Sequence, residues 1–95
     1  MKQYELMLIL SPSISEEDRN ESLAHLKSIL ETNGATIKKE DVWGEKKLAY
    51  KINTSSTGYY VLMDLELDGT KIKPISKEMN LDKNIWRYMF AKLED

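Results

Sequence analysis

Cysteine is absent from the 95 residues and histidine occurs once, as His25. Disulfide frameworks, thiol nucleophiles and thiolate metal sites are thereby excluded, and one imidazole does not build the usual zinc clusters. The lack of cysteine accords with a reducing compartment. Long apolar runs are missing too: the longest, Leu6 to Leu10, is far short of the roughly 20 residues that a spanning helix needs. No basic segment leads into an apolar stretch at the N-terminus, so the expectation is a cytosolic protein with no membrane contact. Positive charge is not in excess either, since 14 Lys and Arg against 16 Asp and Glu leave a net −2. A nucleic-acid binder is normally basic overall, so any contact of that kind has to be local.

Patterns that carry chemistry are equally scarce. There is no GxGxxG, P-loop or HExxH motif, and no acid/base dyad emerges. His25 falls beside the apolar stripe of a helix, the usual place of a surface histidine rather than a general base. The expectation is a protein that binds partners, with no catalytic residue, no cofactor, no metal and no small-molecule substrate. Basic residues do cluster, at Lys38-Lys39, Lys46-Lys47-Lys51 and Lys71-Lys73, among acidic groups at Glu16-Glu17-Asp18, Glu40-Asp41, Asp64-Glu66-Asp68 and Glu94-Asp95. With 32% of residues charged, such clusters also arise as an ordinary solvated surface.

What is present is periodicity, over one domain spanning residues 1–95. Residues 3 to 11 alternate, Tyr4, Leu6, Leu8 and Leu10 on one side and Gln3, Glu5, Met7 and Ile9 on the other, which predicts a strand that Ser11-Pro12 stops. Ser13 with Glu16, or Ser15 with Asp18, fits a capping box, and Leu23, Leu26 and Leu30 recur at helical spacing with Ile29 at the stripe's edge. Asn33-Gly34 ends that helix. A second extended segment runs from Ala35 to about Asn53, too long for an unbroken strand, with a bulge or bend expected at Gly44. A polar loop at 53–58 implies an antiparallel hairpin into a third strand, whose odd residues Tyr59, Val61, Met63, Leu65 and Leu67 face the core. Ile72, Ile75 and Met79 mark a short helix with Pro74 in its first turn, and a last strand covers Ile85 to Lys92, with Trp86, Tyr88 and Phe90 on one face.

The order β-α-β-β-α-β, with right-handed crossovers, predicts an α+β ferredoxin-like sandwich: a four-stranded antiparallel sheet with two helices on one face. The other face then carries Met7, Ile9, Tyr60, Leu62 and Met89, an apolar patch that reads as an interaction surface. Acylphosphatases share the topology, but Ser11-Pro12-Ser13-Ile14 lacks the glycines and arginine of their phosphate loop. Thr57-Gly58-Tyr59-Tyr60-Val61 is a poor match to the aromatic motif of RNA-recognition-motif strands, having no leading Lys or Arg.

One segment is more specific. Trp43-Gly44-Glu45-Lys46-Lys47-Leu48-Ala49-Tyr50 resembles the W-G-[KR]-[KR]-L-A-Y signature of the bacterial small-subunit (30S) ribosomal protein six family. Met1-Lys2-Gln3-Tyr4-Glu5 resembles the family's M-R-x-Y-E opening, Asn33-Gly34-Ala35 its G-A turn, and Gly58-Tyr59-Tyr60 and Ile85-Trp86-Arg87-Tyr88-Met89 its third and fourth strands. The resemblance covers the whole chain and implies a component of the small ribosomal subunit that binds the central domain of 16S rRNA together with small-subunit protein eighteen. On that reading Lys2, Lys46, Lys47 and Arg87 contact phosphate oxygens, while Tyr4, Trp43, Leu48 and Tyr50 meet RNA or partner at the same edge.

The sequence departs from the family at Lys2, where arginine is usual, and at Lys46-Lys47, which lack the bidentate fork of arginine. Lys51 stands where many members have proline. A competing reading from topology alone is an ACT-like small-molecule regulatory domain, although Pro12 and Ser13 replace the glycine expected there.

Overall fold

The computed structural model describes residues 2–52 and 54–93. Met1 of the opening motif, Asn53 of the polar loop, and Glu94 and Asp95 lie outside them. Strand β1 spans Lys2–Leu10, helix α1 Glu16–Thr32, β2 Thr36–Ile52, β3 Ser55–Leu67, α2 Ile72–Met79 and β4 Ile85–Lys92, with a 3₁₀ turn at Gly69–Lys71 leading into α2. The sheet order is β2-β3-β1-β4, every neighbouring pair antiparallel. This is the ferredoxin-like arrangement expected from the element order.

Local chemistry explains the boundaries of α1. The Ser15 hydroxyl accepts from the Asp18 N–H at 3.1 Å, so the cap is Ser15 rather than Ser13, and Glu16, Glu17 and Asp18 sit at the positive end of the helix. At the other end Gly34 takes φ +82°, the Gly34 N–H bonds the Glu31 carbonyl at 3.0 Å and the Ala35 N–H bonds the Leu30 carbonyl at 2.9 Å. That is a Schellman motif, completed by burial of both Leu30 and Ala35. Helix α2 is short, and Pro74 falls in its first turn, where a missing N–H costs nothing. Asp68 caps the preceding turn: Thr70 donates both its backbone N–H and its hydroxyl to the carboxylate at 2.9 Å, and these bonds hold the carboxyl below the usual carboxylate range.

The core lies between sheet and helices. Leu6, Leu8 and Leu10 of β1 and Val61, Met63, Leu65 and Leu67 of β3 meet Leu26 and Leu30 of α1 and Ile75 and Met79 of α2, all of them buried. Tyr4, Leu23, Ile29, Ile72, Ile85, Tyr88 and Phe90 pack on its edges. The Tyr88 hydroxyl donates to Asn80 Oδ1 at 2.8 Å, tying β4 to the end of α2.

Two expectations need correction. Trp86 is not among the residues packed on the core: pairing steps from Leu10 with Ile85 to Ile9 with Arg87, so Trp86 is bulged out of register and Ile85 takes the inward place. The hairpin between β2 and β3 is also tighter than a loop over 53–58, because β3 already begins at Ser55, opposite Ile52.

Candidate nucleic-acid interface

Strands β2 and β3 outrun their neighbours. β1 ends with Leu10 opposite Tyr59, so beyond that point β2 and β3 continue as a two-stranded arm. Such a ribbon is marginal by itself and needs something to lean on. The arm leans on the sheet face that the helices leave uncovered. At Gly58 a Cβ would fall 2.5 Å from Ile9 Cγ2 and 3.2 Å from Leu48 Cδ2, so only glycine allows this approach. Met7, Ile9, Leu48, Tyr50, Ile52 and Met89 consequently share one hollow of about 290 Å³, with Arg87 and Tyr60 also in its lining. Ile9, expected on an open face, is buried.

The arm is shaped by extra residues on β2. Between Ile37 and Lys39, and again between Val42 and Gly44, the strand has one residue more than β3 can pair. Between Lys47, opposite Thr57, and Ile52, opposite Ser55, four residues of β2 face Ser56 alone. The bend anticipated at Gly44 is therefore one of three irregularities. Gly44 has φ +82°, a backbone that an L side chain adopts only under strain, and nothing stands within 4 Å of where its Cβ would be. Its role is conformational: it closes the bulge that turns out Trp43.

That bulge builds a second, shallower hollow of about 640 Å³, lined by Trp43, Lys46, Lys47 and Tyr60. The Trp43 and Tyr60 rings are nearly parallel, 20° apart with centroids 6.5 Å from each other. Trp43 remains 53% exposed, whereas Tyr60 is half-buried. Electrostatics set this part of the arm apart. Lys27 pairs with Glu40 at 3.0 Å, Lys38 with Glu66 at 3.8 Å and Lys39 with Asp41 at 3.6 Å. Among the described residues Lys46, Lys47 and Lys51 have no carboxylate within ion-pair distance. Glu45, next in sequence, accepts a hydrogen bond from the Thr57 hydroxyl at 3.0 Å instead.

Of the residues singled out from the sequence, the arm brings Trp43, Lys46, Lys47, Leu48 and Tyr50 together, and Arg87 joins them from β4, opposite Ile9. Arg87 Nη1 donates to the Trp86 carbonyl at 3.0 Å and the side chain is otherwise exposed. Lys2 and Tyr4 are not at this edge. Lys2 pairs with Leu67 while Lys46 pairs with Gly58, so the length of β3 lies between them, about 30 Å at ~3.3 Å per residue. Tyr4 faces the helix side, packs on the core, and its hydroxyl lies 2.7 Å from where a Gly69 Cβ would be. Its ring fills space beneath the turn into α2, which the alternation with Leu6 and Leu8 already implied. Tyr60 was missed as a member of the site, although its alternation with Tyr59 marked it as the outward aromatic.

Among the described residues no group of three or more His, Asp or Glu side chains is placed to hold a metal ion, and no helix is long and apolar enough to cross a membrane.

Comparison with known proteins agrees with the signature. The family described as Ribosomal protein S6 matches residues 3–92. The chain is 41% identical over 92 residues to the small ribosomal subunit protein bS6 of Fusobacterium nucleatum, covering 97% of this chain and 98% of that one. It is 35% identical to the bS6 protein of Thermoanaerobacter pseudethanolicus over the full length of both. The crystal structure of 30S ribosomal protein S6 from Thermotoga maritima superposes with a TM-score of 0.90 at 26% identity, covering 97% of this chain and 87% of that chain. The C-terminal domain of the Mycobacterium tuberculosis MgtC protein, at 12% identity and a TM-score of 0.68, shares the fold alone. With 90 consecutive positions matched and the W-G-x-K-K-L-A-Y segment forming one exposed arm, the chain belongs to the ribosomal protein S6 family of the small ribosomal subunit.

Proposed function

We propose that the protein is a structural, non-catalytic constituent of the cytoplasmic small subunit that binds the central domain of 16S rRNA jointly with small-subunit protein eighteen. The observation that carries this reading is the sorting of charge. Lysines on the first half of β2 are paired within the molecule, while Lys46 and Lys47 are left beside an exposed tryptophan. Ammonium groups that form no ion pair among the described residues, next to a flat aromatic surface, suit a nucleic-acid backbone and its bases.

A domain of net charge −2 with a patch this small neutralises few phosphates. A basic partner supplies the rest, and it has a place to dock: the apolar hollow of Met7, Ile9, Leu48, Tyr50 and Met89, with Tyr50 69% exposed. Arg87 on that rim serves either phosphate or partner. Lys2, at the far end of the sheet, makes a separate phosphate contact, and Tyr4 contributes by holding the neighbouring turn. Family membership favours this reading over an ACT-like regulatory domain, which rested on topology alone.

The test is a salt titration of binding to a central-domain 16S rRNA fragment, with and without the partner, read by filter retention. The protein alone should bind feebly; the pair should bind strongly and with a steeper dependence of log K on log salt, because more counterions are released. Tight, partner-independent binding at physiological salt would overturn the joint model.

A further inference from the structure

We propose that the hollow formed by Trp43, Tyr60, Lys46 and Lys47 is a site for one unpaired nucleobase, stacked on the exposed indole, with its flanking phosphates on the two lysines. This deepens the RNA-binding reading above and rests on it.

Three observations converge on the site. The first is the ring pair itself: Tyr60 is half-buried in the sheet and lies nearly parallel to Trp43, so the indole is backed by a fixed ring rather than swinging free. A centroid separation of 6.5 Å means that the two rings are offset, which leaves Trp43 more than half exposed toward the hollow. The second is backbone geometry. The extra residue between Val42 and Gly44 is Trp43 itself, and the positive φ of Gly44 fixes the direction in which the indole leaves the strand. The platform is thus organised before anything binds. The third is charge: the lining includes two lysines and no carboxylate, and the adjacent Glu45 is engaged by Thr57.

The occupant follows from these properties. A planar group fits against the indole, and anionic groups on either side of it fit the two ammonium heads; a nucleotide in a single strand has both. Paired bases in an A-form helix do not offer a free face, so the target is a loop, bulge or junction nucleotide. A basic protein surface is a poor occupant, because it would meet Lys46 and Lys47 with charge of the same sign.

Titration of the Trp86→Phe variant, in which Trp43 is the remaining indole, with two fluorescein-labelled single strands of equal length tests the site. One strand carries bases and the other is an abasic ribose-phosphate chain. Anisotropy reads binding and indole emission reads stacking, both at low salt. The base-bearing strand should quench Trp43 and bind roughly tenfold more tightly than the abasic one. Trp43→Ala should bring its affinity down to the abasic level, and Lys46→Ala/Lys47→Ala should weaken both strands alike. Should Trp86→Phe not fold, the parent chain and Trp43→Phe give the same assignment by difference.

Equal binding of both strands without quenching, still abolished by the lysine substitutions, would overturn the stacking site while leaving phosphate contact in place. Binding of neither strand, or binding indifferent to all these substitutions, would remove the RNA reading of this edge together with the site. Stronger quenching of Trp43 by an acidic peptide than by RNA would assign the hollow to a protein instead.

Discussion

Lys38-Lys39 and Lys46-Lys47 are the same dipeptide on the same strand, and the fold treats them oppositely. Lys38 reaches Glu66 across the sheet, and Lys39 bonds Asp41 beside it and lies opposite Asp64. Lys46 lies opposite Gly58 and Lys47 opposite Thr57, neither of which carries charge. What separates the two dipeptides is the local supply of carboxylates: Lys38 has Glu66 and Lys39 has Asp41 within reach, whereas β3 carries no acidic residue from Ser55 to Tyr60, beside Lys46 and Lys47. From Gly44 onward register is reset by the bulge at Trp43, which places Gly44 opposite Tyr60 and Lys46 opposite Gly58. The glycine sets the register of the arm, and because that stretch of β3 carries no acidic residue, Lys46 and Lys47 find no cross-strand carboxylate there.

The contrast extends to the whole domain, whose helix-covered half holds the fold while the arm carries the proposed contacts. Leu30→Ala should produce the largest loss if that division is right. Leu30 is fully buried where α1 meets the sheet, and its truncation leaves a cavity costing about 2–5 kcal/mol. In a domain this small that approaches the entire net stability. Chemical denaturation followed by circular dichroism would register the drop, and a midpoint near that of the parent chain would mean that the core is not centred on this helix face.

Gly44→Ala should cost less, about 1–2 kcal/mol, the penalty for placing a side chain at positive φ. No atom stands within 4 Å of the added methyl, so strain and not collision is responsible. If the strand relieves that strain by giving up the bulge, every residue from Gly44 toward the tip slips in register and Trp43 leaves Tyr60. Indole emission should then shift along with the denaturation midpoint. A stable variant with unaltered emission would show that the bulge does not depend on glycine.

Much of this was legible beforehand, for reasons that differ between the two halves. Strand β3 alternates cleanly because one side of it is covered by helices, β1 does so as far as Leu8, after which Ile9 is buried as well, and α1 advertises its ends through Ser15 and Asn33-Gly34. The arm was legible only as a motif. Alternation along β2 is broken three times by extra residues, and sequence pattern carries no mark of which residues are extra except at Gly44. The same blindness hid the bulge at Trp86, so three aromatics at alternate positions were read as one face. The grouping of Lys2 and Tyr4 with Trp43 was not readable for another reason: a family motif names residues without saying how far along the sheet they stand or which face they take, and Lys2 lies opposite Leu67, far from Lys46, while Tyr4 packs on the helix side.

The finest test of the lysine contrast uses two double variants of identical composition change. Lys38→Ala/Lys39→Ala and Lys46→Ala/Lys47→Ala remove the same number of charges from the same strand, so any general repulsion of RNA by a more acidic protein is common to both. Neither should move stability by more than about 0.5 kcal/mol, because the pairs formed by Lys38 and Lys39 are solvent-exposed and longer than 3.5 Å, and those of Lys46 and Lys47 are absent among the described residues. Their effects on RNA should separate. Loss of Lys46 and Lys47 removes the proposed phosphate contacts, so the log–log salt slope of the proposed joint complex with small-subunit protein eighteen should become shallower by about 1–2. Loss of Lys38 and Lys39 frees Glu66 and Asp41 but removes no proposed contact, and the slope should stay where it was. Equal shifts for the two variants would mean that RNA responds only to overall charge, and the distinction between paired and unpaired lysines would then have no bearing on binding.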